Sequence, residues 1–172
     1  ILGLLKEGLS AREALDKTLR SDAAAAVRQL GVVDSVGRSA AHTGADCTPW
    51  CGDITAEGVS IQGNMLVDGR TIEAMAEAFA RTAHAPLSER LMSALEAGDA
   101  AGGDKRGKQS AAPTIYGDED YAALDIRADE HPAPVKELRR ILVIAEQQLV
   151  PFVAGMPRRG ARRLRGRRAA PA

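Results

Sequence analysis

The spacing of hydrophobic residues predicts four helical regions. In the first, leucines recur at helical spacing between Leu2 and Leu19, and Gly8 is expected to break the helix. Ser10 and Glu13 form a capping-box pattern, in which each side chain accepts a hydrogen bond from the other residue's amide. A second helix is expected to start at Asp68 or Thr71, with the apolar face Ile72, Met75, Ala76 and Phe79. A third is expected after Pro86, with the apolar face Leu87, Leu91, Ala94 and Leu95. A fourth is expected from Pro134, with the apolar face Val135, Leu138, Ile141, Leu142 and Ala145.

Strands are predicted between these helices. The predicted strands are residues 27–33, 38–43, 54–62 with an interruption at Gly58, 111–116 and 121–127. The first two flank a turn at residues 34–37 and are expected to form a hairpin. The order of helix, strands, helices, strands and helix favours an α+β fold with layered αββα packing over alternating βαβ units.

Composition limits the kinds of protein that this chain can be. Hydrophobic residues make up 45% of the 172 residues and aromatic residues 3%, so one medium domain would fill its core mainly with aliphatic side chains and Ala. The sequence contains no run of eighteen apolar residues and no secretory signal pattern. We therefore expect no membrane partner and favour a cytoplasmic location.

Charge is unevenly distributed along the chain. All 23 acidic residues precede Pro157, whereas seven of the 23 basic residues follow it. The acidic body repels phosphate backbones, which argues against a general nucleic-acid surface there. The Arg-rich segment 157–172 has almost no apolar surface to bury, and we predict a disordered appendage without evolved function. Nucleic-acid binding through this segment is an alternative, but no specific nucleic-acid partner is expected.

The glycine-rich stretch at residues 102–110 is the most distinctive motif. It partly matches a phosphate loop, but Gln109 stands where a Ser or Thr must bind magnesium, and the stretch leaves a helix instead of a strand. A helix end followed by a solvated charged turn is the simpler interpretation. Three glycines nevertheless let the backbone approach a ligand closely, and Gln109 and Ser110 lead directly into an apolar strand.

Two other groups of polar residues are candidates for chemistry. Asn64 follows a predicted strand and precedes a helix, where its amide and bare backbone amides could face an oxyanion, although an ordinary turn is the simpler reading. The metal-binding residue types His42, Cys47, Cys51 and Asp53 lack the spacing of a closed zinc set, so we predict no metal and no other cofactor. No serine lies in a Gly-x-Ser-x-Gly elbow.

Eight stretches of the chain occur in an order that is typical of one bacterial family. They are Leu-Ser-Ala-Arg-Glu-Ala-Leu at 9–15, Arg-Gln-Leu-Gly-Val-Val-Asp at 28–34, Ala-His-Thr-Gly at 41–44, Gln-Gly-Asn-Met-Leu at 62–66, Ala-Met-Ala-Glu-Ala-Phe at 74–79, Leu-Ser-Glu-Arg-Leu at 87–91, Ala-Ala-Gly-Gly-Asp-Lys-Arg-Gly-Lys-Gln-Ser-Ala at 100–111, and Asp-Ile-Arg-Ala-Asp at 125–129 with His131 and Pro132. Together they resemble the uncharacterised family called domain of unknown function 1028, over about residues 2–146.

This resemblance implies similarity to N-terminal nucleophile hydrolases, whose fold stacks two sheets between helical layers. Such enzymes cleave amides with a terminal Thr, Ser or Cys, a role that Ile1 cannot fill. We therefore expect a partial αββα sandwich without its first strand pair, in an N-terminally truncated fragment whose nucleophile lies upstream of Ile1. The chain departs from the family pattern at residues 51–53, where Ala-Gly-His is expected, and at Pro113, which makes its strand an edge, bulged or damaged.

The resemblance also suggests roles for six residues. We assign Asn64 as an oxyanion or substrate-amide donor. Lys105 and Arg106 are assigned as carboxylate contacts, Asp104 as their orienting partner, and Gln109 with Ser110 as hydrogen-bonding groups of a pocket.

The implied function is that of an amidohydrolase acting on a small-molecule or peptide amide, with this chain inactive as written. The alternatives are a non-enzymatic binding module or pseudo-enzyme remnant, or nucleic-acid binding through the Arg-rich tail. Residues 1–147 are assigned to the truncated hydrolase-like domain and residues 148–172 to an Arg-rich, disordered tail outside the resemblance. A homo-oligomer is left open.

Overall fold

The computed structural model describes residues 1–158. Its helices are α1 (Leu2–Lys6), α2 (Ala11–Arg20), α3 (Arg70–Arg81), α4 (Leu87–Ala100), α5 (Pro134–Gln147) and α6 (Leu149–Ala154). Its strands are β1 (Gln29–Val33), β2 (Ser39–Thr43), β3 (Gly52–Ala56), β4 (Val59–Gly63), β5 (Thr114–Tyr116) and β6 (Ala122–Asp125). The chain is thus a mixed α/β protein with small antiparallel sheets, which confirms the predicted mixture of helices and strands.

Helices α1 and α2 are separated where the sequence predicts the break. Gly8 adopts φ +94°, a conformation that favours glycine. Helix α2 then begins with the predicted capping box, because Ser10 Oγ accepts a 3.3 Å bond from the Glu13 amide and the Glu13 carboxylate accepts a 2.8 Å bond from the Ser10 amide.

The strands form three antiparallel hairpins. The β1–β2 hairpin confirms the prediction, with Val33 opposite Ser39 across the turn. The prediction of one interrupted strand over 54–62 is wrong, because the chain reverses at Glu57 and Gly58 and pairs β3 with β4. Gly58 has φ +72°, so the glycine makes a tight turn here instead of a local irregularity within one strand.

The first four strands and the helices around them are arranged in layers. Ala11 and Leu15 of α2 pack against Val32 of β1 and Ala40 of β2. The β1–β2 hairpin also contacts the β3–β4 hairpin, and α3 contacts β3 and β4. Contacts therefore run from α2 through the two hairpins to α3.

A second core joins the other helices to the third hairpin. Its buried residues are Met92 of α4, Leu124 and Ile126 in and after β6, and Leu138, Leu142 and Ala145 of α5. The regular part of β5 is shorter than predicted, because Pro113 lacks an amide hydrogen and Ala111 makes only an isolated bridge to Ala128. The pairing also shifts between Ile115 and Tyr116, and β5 is an edge strand of a two-stranded sheet, so the strand is both an edge and irregular, two of the three alternatives that Pro113 predicted.

The end of the described chain is more structured than the tail assignment implies. The predicted boundary at residue 148 falls between α5 and α6, and α6 packs against α5 and β6. Most of the segment 157–172, for which disorder is predicted, lies outside the described residues. Within residues 1–158, the helices are all too short or too polar to cross a bilayer.

Candidate functional site

The glycine-rich stretch is a loop that is anchored to the segment following β4. It leaves the end of α4, where Gly102 and Gly103 adopt φ +122° and +59°. The Val67 amide donates a 3.0 Å bond to the Gly103 carbonyl, and the Lys105 amide donates a 2.8 Å bond to the Met65 carbonyl. These bonds fix the first half of the loop beside the residues that precede α3.

A cavity of about 550 Å³ lies beneath this loop. Its apolar lining consists of Leu66, Met75, Leu95, Pro134 and Val135, and its polar lining consists of Thr71, Asp99, Asp104, Arg106, Lys108, Gln109 and Ser110, with Gly98, Gly103 and Gly107 between them. The lining can therefore contact both an apolar group and a polar group of a small molecule.

The four charged residues of the lining form two ion pairs. Arg106 binds the Asp104 carboxylate through Nε and Nη2, with the Nη2–Oδ2 distance at 2.5 Å, and Lys108 Nζ lies 2.6 Å from Asp99 Oδ1. The hydrogen bonds from the Arg106 side chain and amide, assisted by the charges of Arg106 and Lys105, lower the pKa of Asp104 to about 2. Asp104 therefore remains ionised at neutral pH and orients Arg106.

Backbone amides in the second half of the loop differ in whether they are hydrogen-bonded. The Ala111 amide bonds to Ala128, and the Gly107 amide bonds to Asp104. Between them, the amides of residues 108–110 have no acceptor in the part of the chain that the structure describes. The lining thus combines cationic side chains with residues whose amide donors have no acceptor within the described chain.

Thr71 is a cavity residue that the sequence analysis considered only as a helix start. It lies just inside α3, which begins at Arg70 after Gly69, and the Asp68 carboxylate accepts the Arg70 amide at 2.9 Å. The Thr71 side chain is 3% exposed, and its hydroxyl has no partner among residues 1–158. Nothing in the local sequence signals this role, because the cavity forms only when the loop of residues 102–110 folds over α3.

The structure brings four of the six predicted site residues together. Asp104, Arg106, Gln109 and Ser110 line the same cavity. Lys105 points elsewhere, and its ammonium group donates to the carbonyl of Pro49. Gln109 also donates a 2.6 Å bond to Glu130, which ties the loop to the residues that precede α5.

Asn64 lies in a separate polar cluster between the first two hairpins. Its Nδ2 donates a 3.1 Å bond to Gln29 Oε1, and Gln29 Nε2 in turn donates to the carbonyls of Gly52 and Gly63. The expectation of bare amides beside Asn64 is wrong, because the next three amides bond to the carbonyls of Thr48, Trp50 and Gly103. The Asn64 side chain thus links β1 to the end of β4.

The candidate metal ligands do not assemble. His42 Nε2 lies 2.9 Å from the Ala25 carbonyl, Cys47 Sγ contacts the Arg28 carbonyl, and Asp53 accepts a 2.6 Å bond from Thr43. Among residues 1–158, His, Cys, Asp and Glu side chains form no group of three that could hold a metal ion.

Comparison with known proteins identifies relatives. The model of the family described as a family of unknown function, DUF1028, matches residues 1–138. The crystal structure of protein SPO2555 from Silicibacter pomeroyi, described as a DUF1028 protein, is 29% identical, with a TM-score of 0.78 over 88% of this chain and 67% of that chain. A search of curated proteins gives no significant match.

Proposed function

The chain belongs to DUF1028, a family of unknown function, and we propose that it binds the substrate of an amide hydrolase in the cavity beneath the glycine-rich loop. The substrate class is a small-molecule or peptide amide, and the hydrolase is of the N-terminal nucleophile type. The observation that carries the proposal is that Asp104, Arg106, Gln109 and Ser110 line one cavity, where they offer charged groups and hydrogen-bonding groups side by side.

The layer order supports the proposal at the level of fold. Helix α2 contacts the β1–β2 hairpin, this hairpin contacts the β3–β4 hairpin, and β3–β4 contacts α3, which is compatible with the proposed sandwich of two sheets between helices. Fold alone does not define an activity, so the weight of the proposal rests on the cavity.

The cavity residues are suited to binding an amide, and we assign no nucleophile to them. The Gln109 side chain and the amides of residues 108–110 offer hydrogen bonds to an amide carbonyl, while Leu66 and Val135 contact its apolar portion. The two hydroxyls, of Thr71 and Ser110, have no histidine beside them in the lining. A hydroxyl without an adjacent base is a weak nucleophile.

The ion pairs of the cavity lining favour a second candidate, a binding module without catalysis. Both carboxylates of the lining are held in ion pairs, Asp99 with Lys108 and Asp104 with Arg106. Neither is therefore poised to take a proton from water or from a hydroxyl, as a general base must do.

Binding and amine release, measured on the same samples, test both candidates. The chain is mixed with a panel of N-acyl amino acids and γ-glutamyl amides. For each mixture, the melting temperature and the concentration of released amine are recorded. A substrate should raise the melting temperature in a saturable way, because it binds only the folded state. Arg106→Ala should abolish this rise. Arg70→Ala is the matched control, since Arg70 makes the same contacts with Asp68 outside the cavity.

Each outcome has a distinct reading. Amine release that persists in Ser110→Ala and Thr71→Val supports a hydrolase whose nucleophile lies outside the cavity. Binding without release supports the binding module. Release lost in Ser110→Ala while binding is retained would show that the nucleophile is Ser110 and would contradict the view that the cavity holds none. The absence of both binding and release across the panel would reject both candidates.

A further inference from the structure

The polar rim of the cavity contains cationic donors that the two ion pairs leave unused. Arg106 contacts Asp104 through Nε, Nη2 and its backbone amide, which leaves Nη1 without a partner among residues 1–158. Lys108 makes one bond, to Asp99, and an ammonium group has three donors. Both cations therefore retain N–H groups for a ligand.

The carboxylates of the rim have less capacity left. Both oxygens of Asp104 accept bonds from Arg106, so that only Oδ2 of Asp99 is without a partner among the carboxylate oxygens that line the cavity in residues 1–158. A cationic ligand would find one unoccupied carboxylate oxygen here. An oxyanion would find unoccupied donors on two cations.

The backbone around the cavity adds to this preference. The amides of residues 108–110 have no acceptor among the described residues, and they adjoin the two cations. Helix α5 starts at the cavity with Pro134 and Val135, has no side-chain cap, and directs the positive end of its dipole toward this region. Successive unpaired amides and a helix N-terminus both favour a negative group.

The interior of the cavity indicates what else the ligand carries. Thr71 is 3% exposed and its hydroxyl lacks a partner, although buried polar groups are normally hydrogen-bonded. Leu66, Met75 and Leu95 surround it with apolar surface. The interior therefore suits a mainly apolar body with one hydrogen-bonding group near Thr71, and the negative group is left at the rim.

We propose that the cavity binds a small molecule with an apolar body and an oxyanion, a carboxylate or phosphate group, and that Arg106, Lys108 and the amides of residues 108–110 hold the oxyanion. This inference rests on the site of the proposed function and specifies its substrate class. Asp104 and Asp99 act as positioning residues that hold the two cations at the rim.

Near-isosteric probes of different charge test this inference at constant ionic strength. Calorimetric titrations of the full chain use phenylacetate, its neutral amide phenylacetamide, the cation phenethylammonium, and inorganic phosphate. Phenylacetate should bind about tenfold more tightly than phenylacetamide, because its hydrogen bonds are charge-assisted. Arg106→Ala and Lys108→Ala should each remove most of this difference, whereas Arg70→Ala should preserve it. The side chains of Arg106 and Lys108 are exposed, and melting temperatures verify that the variants are folded.

The probes also distinguish the two sources of oxyanion. Phosphate that binds more tightly than phenylacetate, with the same dependence on Arg106, assigns a phosphate group to the ligand. Equal or tighter binding of phenylacetamide or phenethylammonium, carboxylate binding that is unchanged in Arg106→Ala, or no binding of any probe would overturn the inference. Oxyanion binding without amine release from any amide would leave the inference standing while the hydrolase proposal fails.

Discussion

The Asp34 carboxylate accepts a 3.1 Å hydrogen bond from the amide of Ala11, the first residue of α2. The same carboxylate accepts bonds from the amides of Val36 and Arg38 and from the Arg38 side chain, so one side chain organises the β1–β2 turn and attaches it to the helix. With the Ser10 cap beside it, this contact fixes the N-terminus of α2 over the first hairpin.

Substitution of Asp34 should destabilise the protein in a pH-dependent way. Burial raises the pKa of Asp34, but the bonds from Arg38 and from the three amides outweigh it and lower the pKa from 3.8 to about 2. Because the folded-state pKa is depressed, the stabilisation is present above pH 3.8 and is lost as the pH falls through about 2. Asp34→Asn should therefore lower the melting temperature at pH 7, with a difference from wild type that shrinks across this acidic window.

The control for this experiment is Asp16→Asn. Asp16 is on the exposed face of α2, where its carboxylate lies 3.5 Å from Arg12. Exposed pairs of this kind contribute little, so the melting temperature should hardly change. Equal effects of the two substitutions at every pH would show that Asp34 has no special role.

Two glycines should respond differently to the same substitution. A methyl group at Gly44 would lie 2.5 Å from the carbonyl carbon of Ala26, which is backbone and cannot move aside. For a methyl group at Gly31, the nearest atoms are the side-chain ends of Gln62 and Ser60, which can move aside. In urea denaturation, Gly44→Ala should cost about 3 kcal/mol of unfolding free energy, whereas Gly31→Ala should cost less than about 1 kcal/mol. A smaller cost at Gly44 would contradict the close contact between the residue 25–27 turn and the end of β2.

Truncation of Leu138 tests the second core. The side chain is fully buried between α4, α5 and β6. Leu138→Ala should lower the unfolding free energy by about 3 kcal/mol through lost transfer energy and the cavity left behind. Val143 lies on the same helix and is 47% exposed, so Val143→Ala should change stability by less than about 1 kcal/mol. Similar losses from the two variants would argue against this core.

Local sequence signals predict the elements whose determinants are close together in the chain. Ser10 and Glu13 mark the start of α2, and Pro134 marks the start of α5, because caps and proline act within one turn. The β3–β4 hairpin escapes prediction because Glu57-Gly58 is not one of the strongest two-residue turn signals, and residues 54–62 are apolar enough to read as one strand.

The candidate site depends on contacts that are distant in sequence. The glycine content draws attention to residues 102–110, the resemblance suggests roles for some of them, and five side chains of this loop line one cavity. The partner of Asn64 is Gln29, 35 residues away, and the floor of the cavity is Thr71 on another helix. Neither relationship produces a local pattern, because both arise when separate layers pack together.

Lys105 and Arg106 are adjacent in sequence, and the structure gives them different expected effects. Arg106 lines the cavity, whereas Lys105 donates to the Pro49 carbonyl and thereby connects the loop to the segment before β3.

Arg106→Ala should weaken binding of phenylacetate with little change in melting temperature, since the ion pair between Arg106 and Asp104 is exposed. Lys105→Ala should leave phenylacetate affinity unchanged. Lys105→Met, which retains much of the side-chain length but removes the donor, should behave like Lys105→Ala. Titrations of the three variants under identical salt conditions measure the contrast, and a loss of affinity in both Lys105 variants equal to that of Arg106→Ala would show that Lys105 also acts on the ligand.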